Sequence, residues 1–326
     1  MIKAKLQAPQ NLITQHSHLP EMAEIAQYRN ELQDLYKLWF RTSKNLPYAE
    51  RLDSDAFRRA FLENAMSENV CFLAREDGKP EGAAMAHLYP GWGAVLQMWV
   101  PHEDLGDEKS VLLLDRCIEL CREKIVPKIS PKPLLGSRRY YEFFKGRGFV
   151  INEEYPEGLW MRKTLDAIPE FDMPKGLTVK FTDDLDKSGV IESVARLDVE
   201  IAREQLDLEA NIEKNIQSLR DEMRETDVMY GIAKIDSKFV GYSRIGFTDL
   251  ISGEKMASNR GLAVKKDFRN RKIGEALLTS SMKAVRDRGY GEMYISTHSK
   301  NPARRLYERV GFDTIETVPS LVLRIG

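Results

Sequence analysis

Between Lys265 and Lys272 the chain sets five basic side chains, Lys265, Lys266, Arg269, Arg271 and Lys272, around Asp267, Phe268 and Asn270. Ile273-Gly274-Glu275-Ala-Leu-Leu278 follows at once, and Gly261-Leu262-Ala263-Val264 precedes it as a short apolar strand. A strand, a basic turn and a helix opening at Ile273 leave backbone N–H groups and the positive helix end free to meet an anion. The chemistry this spacing suits is the binding of a phosphate-bearing ligand.

The elements that must hold this turn are legible around it. Ile273, Ala276, Leu277, Ser280, Ala284 and Val285 recur at spacings of three and four, so the helix packs one face on a sheet and stops near Gly289. Glu292-Met-Tyr-Ile-Ser-Thr297 reads as the next strand. Asn301-Pro302 then gives a helix start in which Asn caps and Pro takes the first helical position. That short helix carries Leu306-Tyr307-Glu-Arg-Val-Gly311-Phe312.

In this order of strand, Arg-containing turn, helix, strand and Leu-Tyr-Glu-x-x-Gly-Phe helix, the chain resembles the GNAT superfamily of acyl-CoA-dependent N-acyltransferases. In that family the turn reads Arg or Gln, two residues, Gly, one residue, then Gly or Ala. Arg269 and Gly274 match, and Lys272 stands where the inner Gly would be. The resemblance implies acetyl-CoA, or another acyl-CoA, as co-substrate and no metal. Its pyrophosphate would lie on Arg269, Asn270, Arg271, Lys272, Ile273, Gly274 and Glu275, its pantetheine along Leu262, Ala263 and Val264. Further contacts would come from Asn301, Ala303 and Arg304, although the family's Asn sits four residues before its helix Ala and Asn301 only two before Ala303. It also implies direct attack of an amine on the thioester in a ternary complex, with Tyr307 protonating the departing thiolate. A phenol at about 10 and a thiol at about 8.5 make that transfer slightly uphill, within reach of a positioned hydrogen bond. The acceptor is expected to be a primary amine of a small molecule or peptide. It must lose a proton before attack, and His298, just past the second strand, has the chemistry of a base, ahead of Asp249 and Glu254.

At 326 residues the chain is long for one domain, and a second copy of the same pattern accounts for the excess. Ala74, Asp77, Lys79 and Gly82 repeat as Ala233, Asp236, Lys238 and Gly241, each set reading as a hairpin. Tyr141-Glu-Phe-Phe144-Lys-Gly-Arg-Gly148-Phe149 mirrors the helix at Tyr307. The expected fold is α/β (α+β), two tandem GNAT-type domains, each a mixed, mostly antiparallel twisted sheet flanked by helices, in an arrangement similar to mycothiol synthase-like enzymes. The domains are expected at 1–165 and 177–326, with the Pro- and Gly-containing stretch 166–176 as linker. Helices are expected over Pro20–Thr42, Ser54–Ser67, Lys187–Gln205 and Leu208–Glu225. The first copy departs where chemistry would occur: Pro101-His-Glu-Asp-Leu-Gly-Asp-Glu108 is acidic and would repel a pyrophosphate, and Phe144 occupies the Tyr307 position. That copy is therefore expected to be non-catalytic.

A net charge of -1 argues against a general polyanion binder, so no nucleic acid is expected and the local basic turn is the meaningful electrostatic feature. No stretch is long and apolar enough for a membrane span and Met1–Pro9 lacks the apolar run of a signal peptide, which gives a cytoplasmic expectation. Cys71, Cys117 and Cys121 lack metal spacing and read as small core residues. Asp198, Glu200, Glu204, Asp207 and Glu209 form an acidic helical junction that reads first as a solvated face and second as an attraction for a cationic amine, and Trp92, Trp99 and Trp160 read first as core and second as lining of the groove between the copies. Two other functions share these features: a non-catalytic acyl-CoA sensor or scaffold, and a tandem protein of related fold that moves aminoacyl groups from tRNA to peptides. A Tyr kept at 307 and a basic turn before Gly274 favour the acyl-CoA enzyme.

Overall fold

A computed structural model describes residues 24–29, 31–63, 68–89, 91–206 and 211–325. The first half runs β1 (Glu24–Gln27), α1 (Leu32–Ser43), α2 (Ser54–Phe57, continued by a wider turn to Leu62), β2 (Glu68–Glu76), β3 (Lys79–Tyr89) and β4 (Gly93–Trp99). It continues with α3 (Glu108–Glu123), β5 (Lys128–Pro131), α4 (Arg138–Gly146), β6 (Val150–Ile151) and β7 (Glu157–Thr164). The second half opens with β8 (Leu177–Thr182), α5 (Ile191–Leu206), α6 (Ile212–Glu225), β9 (Asp227–Ile235), β10 (Lys238–Asp249) and β11 (Lys255–Val264). It closes with α7 (Ile273–Asp287), β12 (Glu292–His298), α8 (Arg304–Arg309), β13 (Asp313–Pro319) and β14 (Leu321–Arg324).

The repeated hairpins form as their sequences require. Asp77 and Gly78 in one, and Asp236 and Ser237 in the other, all take positive φ, the backbone of a tight turn whose twist matches its strands. From these hairpins grow two seven-stranded sheets, ordered β1-β2-β3-β4-β5-β14-β6 and β13-β7-β12-β11-β10-β9-β8. Among the described residues only β4–β5 and β11–β12 pair in parallel, and the other strand pairings are antiparallel. The mixed, mostly antiparallel tandem architecture is thus present.

The division at 165 and 177 separates the helices of the two halves but not their strands. β7, from the first half, lies between β12 and β13 of the second sheet, and β14, the last strand, lies between β5 and β6 of the first. The crossing segments meet where Asn152 N–H donates to Ser320 O (2.8 Å) and Ser320 N–H to Pro156 O (3.0 Å). Leu159, Met161 and Leu165 consequently sit in the core with Met293, Ile295 and Phe312. Leu321 joins Leu113 and Phe144 in the other core. At roughly 1.5–3 kcal/mol for each apolar side chain fully buried, the three β7-end residues contribute several kcal/mol to the second half.

Helix boundaries also moved. Glu24–Gln27, expected within a helix from Pro20, is instead a strand along Phe72–Arg75 of β2, because an open sheet edge outweighs four residues of weak helical preference. Lys187–Val190 forms a turn, with Asp184 Oδ1 accepting from Lys187 N–H (2.9 Å), so α5 starts at Ile191. The expected starts at Pro20 and Leu208, the end at Ser67, Met1–Pro9, Asp207 and Glu209 lie outside the described residues. The three cysteines are buried thiols, each pushed up by burial.

Candidate active site

β11 and β12 are hydrogen-bonded only from Ala257–Asn259 to Met293–Ile295 and then part. The cause lies in β11, where Arg260 is an extra residue opposite the Arg244–Ile245 step of β10, a bulge that bends the strand away from its parallel neighbour. Arg244 donates to Arg260 O (3.2 Å) and Arg260 to Thr248 Oγ1 (2.9 Å), which fixes the bend. Beyond it Leu262, Ala263 and Val264 pair with β10 on one side only, leaving main chain open along the gap.

The basic turn follows directly. Arg269 Nε donates to Val264 O (3.1 Å) and its outer nitrogen to Glu204 Oε2 (2.8 Å), so this guanidinium braces the turn against α5. Asn270 and Lys272 take φ of 63° and 60°, with Arg271 between them. Such alternation turns successive N–H groups toward one side and makes an anion-binding concavity. Lys272 is the residue before α7, and no side chain caps that helix. The first copy contrasts at the same point: Asp107 Oδ1 accepts from Ser110 N–H (2.8 Å) at the start of α3, so its own carboxylate fills the place an anion would take.

Gly274 lets α8 approach this helix start, since a Cβ there would come within 3.2 Å of Leu306 Cδ2. Arg309 reaches to 3.9 Å from Glu275 on the same side. Tyr307, adjacent to Leu306, is buried against Phe312 with ring centroids 6.4 Å apart. Its hydroxyl has no hydrogen-bond partner among the described residues, and desolvation pushes it up to about 12. Phe144, its counterpart, is fully buried in the other core. The turn, the open strand and α8 are therefore brought together as the sequence reading expected.

His298 ends β12, beside the gap, with its ring edge-on to Tyr155 at 4.6 Å. Its Nδ1 is buried without a partner, and burial holds the imidazole below its ordinary value of 6.5. Asp249 and Glu254 flank the β10–β11 turn at the opposite end of the hairpin from Val264 and stand away from the gap. Asn301 does not cap the helix as expected: its Oδ1 accepts from Ala303 N–H (2.9 Å) and its Nδ2 donates to Thr297 Oγ1 (2.9 Å) in the turn before it, and the capping position falls to Ala303, which has no side-chain acceptor. The helix proper starts at Arg304, two residues later than the Asn-Pro signal implied, because Pro302 and Ala303 form a turn first. Arg304 pairs with Glu308 (2.7 Å) on the wall of a cleft that Ser299, Lys300 and Arg305 also line.

A polar cluster beneath α5 and α6 escaped the sequence reading. Tyr242 donates to Asp198, Tyr230 donates to Glu222 Oε2 (2.6 Å), and Arg244 approaches Glu222 (3.4 Å). Burial raises the Asp198 carboxyl, opposed by the Tyr242 hydrogen bond and the Arg244 charge. Asp198 thus turns inward, whereas Glu200 and Glu204 stay exposed as a solvated face would. The available signal was Arg244 directly opposite Tyr230 on two otherwise apolar strands, a polar pair at inward positions.

The chain is similar to known proteins in both sequence and fold. Residues 192–312 match the family model described as "Acetyltransferase (GNAT) family". A "Probable N-acetyltransferase camello" of Xenopus tropicalis is 30% identical over 103 residues, 31% of this chain and 46% of that protein. An "N-alpha-acetyltransferase" of Sulfurisphaera tokodaii is 30% identical over 107 residues, 30% of this chain and 64% of that protein. The chain thus matches less than two thirds of the length of either curated relative. Among solved structures, a tandem GNAT protein from the clavulanic acid biosynthesis pathway superposes with a TM-score of 0.71 at 15% identity, over 93% of this chain and 99% of that one. A GCN5-related N-acetyltransferase from Sphaerobacter thermophilus gives 0.64 at 17% identity, over 93% and 96%.

Proposed function

For a chain of tandem GNAT fold whose residues 192–312 match the GNAT acetyltransferase family model, we propose an acyl-CoA-dependent N-acyltransferase that moves an acetyl group from acetyl-CoA to a primary amine. The observation that carries the reading is the uncapped start of α7, preceded by a strand with an open edge and packed against the helix that holds Tyr307. The N–H groups from Arg271 to Glu275 would receive the pyrophosphate, and the open edge at Leu262–Val264 would pair with the pantetheine. A backbone N–H at that edge would face the oxygen that becomes negative when the amine attacks.

In the reaction the amine nitrogen bonds to the thioester carbon and the C–S bond breaks. The thiolate takes the Tyr307 proton, which a phenol raised to about 12 still holds at neutral pH. The amine's surplus proton passes to His298, uncharged near neutrality because burial lowers it. Asp198 and Glu222, two carboxylates against one guanidinium, would favour a cationic acceptor beside the gap. The first copy, with Asp107 on its helix start and Phe144 in place of tyrosine, would bind no CoA.

Calorimetric titration with acetyl-CoA, followed by turnover against a panel of small-molecule and peptide amines, tests the reading. One site per chain with turnover is expected. Two sites would overturn the assignment of the first copy, binding without turnover would favour a sensor, and no binding would refute the proposal.

A further inference from the structure

An aromatic-walled cavity lies in the first half. β4 and β5 pair from Ala94–Leu96 to Ile129–Pro131 and then part, as β11 and β12 do. Into the gap opens a cavity of about 330 Å³. Its walls include Trp39, Tyr48, Phe61, Trp99, Tyr140 and Trp160, the last from exchanged β7. Phe61 meets Trp99 edge-on at 5.4 Å, and Tyr48 meets Trp160 at 5.6 Å. Such walls suit a flat apolar body, and a cavity of about 150 Å³ already holds benzene, so this one has room for a ring with a short chain.

Among the buried polar atoms left unpaired on these walls, two donors, Trp99 Nε1 and Trp160 Nε1, stand against one acceptor, Gln97 Oε1. Trp99 is only 3% exposed and its Nε1 is buried with no acceptor, as is that of Trp160. Lys132 lines the cavity with its Nζ 5.1 Å from the Phe61 ring centroid and forms no ion pair among the described residues. Desolvation lowers its pKa, partly offset by the charge of Glu50, although the residue as a whole is exposed. The carboxylate on the lining, Glu50, is directed at Arg260 (3.5 Å). Aromatic walls alone would suit a quaternary ammonium. An ammonium without an ion pair among the described residues and two unpaired N–H donors, against the single unpaired acceptor Gln97 Oε1, instead call for an anion, since buried donors left without acceptors are costly.

We propose that this cavity binds a small monocarboxylate with an apolar, ring-sized body, its carboxylate on Lys132 and the Trp99 and Trp160 N–H groups and its body among the aromatic rings. The site is separate from the turn at 269–274 and does not depend on the acyltransferase reading. All four tryptophans of the chain, Trp39, Trp92, Trp99 and Trp160, lie in the first half, and three line the cavity, so tryptophan emission reports this site and not the turn.

The test is a fluorescence titration of the full chain with 4-phenylbutyrate and with its uncharged amide. A saturable change is expected with the acid, about tenfold weaker with the amide. Lys132→Met should weaken the acid by about tenfold, Lys132→Arg should retain it, and Trp99→Phe, which keeps the ring and deletes the donor, should weaken it severalfold. Melting curves and acetyl-CoA titrations of each variant, unchanged from the parent, would exclude a folding defect. No saturable change up to on the order of 10 mM, equal binding of acid and amide, or parental affinity in a folded Lys132→Met chain would overturn the proposal.

Discussion

Lys272 offers the sharpest test of how the turn holds a phosphate. With φ 60° and ψ 11° it occupies left-handed backbone immediately before α7, at the position where the family's turn has glycine, and its side chain is exposed. Left-handed backbone costs an L-residue about 1–2 kcal/mol relative to glycine. Glycine gives back about 0.5–1 kcal/mol through the greater freedom of its unfolded chain. Lys272→Gly should therefore stabilise the second half by about 0.5–1 kcal/mol, a rise of roughly 1–3 °C in a thermal melt. The ligand side has its own magnitude. If backbone N–H groups carry the pyrophosphate, the variant loses one exposed cation near an anion, worth about 0.3–1 kcal/mol, or a two- to fivefold increase in the acetyl-CoA Kd. Calorimetric titration and thermal melts of the parent and variant measure both. A lower melting temperature would refute the strain argument. A Kd raised more than about thirtyfold, near 2 kcal/mol, would show that the lysine ammonium and not the backbone is the main phosphate contact.

Four further outcomes follow from the site. Tyr307→Phe should leave the acetyl-CoA Kd nearly unchanged and lower kcat by about ten- to a hundredfold; equal losses in both would remove the tyrosine as acid. Because the folded phenol keeps its proton up to about 12 while an unfolded one releases it near 10, its contribution to stability is present below pH 10 and lost as pH rises toward 12, a loss the Phe variant should escape in urea melts. His298 should make kcat/KM rise with pH through a point below 6.5 and level by neutrality, and His298→Gln should abolish that limb; an unchanged profile would exclude it as the base. Asp198→Asn should raise KM for a cationic amine about tenfold with acetyl-CoA affinity intact, and an unchanged KM would return the cluster to a purely structural role. A chain cut to residues 177–326 should be insoluble or poorly folded, since β13 loses β7, its partner, and β12 loses one neighbour; a stable, CoA-binding fragment, checked by gel filtration and titration, would count against the exchange.

What was legible in the sequence was local. The repeat of Ala, Asp, Lys and Gly announced both hairpins because a tight turn needs particular residues at fixed offsets. The basic turn and α7 were legible because helix periodicity and a free N-terminus are properties of contiguous residues. What stayed hidden was the choice of distant partners. Glu157–Thr164 reads equally well as the last strand of either sheet, since alternation fixes which face is buried and not which edge it joins. Asp198 likewise reads as one more acidic residue on an exposed helix; only Tyr242, 44 positions away and facing it, shows that it points inward.

The strand exchange bears on why a half without the tyrosine or the basic turn accompanies the half that has both. The gap at Leu262–Val264 exists because β12 does not follow β11 past Ile295, and β12 must therefore be held from its other side. That side is β7, which pairs with it over all seven residues from Glu292 to His298. One wall of the gap is thus fixed by a strand of the first half, and β14 returns the tie by closing between β5 and β6. Under this division the first half serves by packing, and an Asp107 that caps its own helix costs the arrangement nothing. Trp160 extends the link, since it lines the aromatic cavity and its backbone lies opposite Ser296 of β12 and Glu316 of β13. A ligand in that cavity would press on the strand that positions the gap. With β7 paired on both edges it has no second register at hand, so the effect to look for is stiffening of β12 and not a switch between two states.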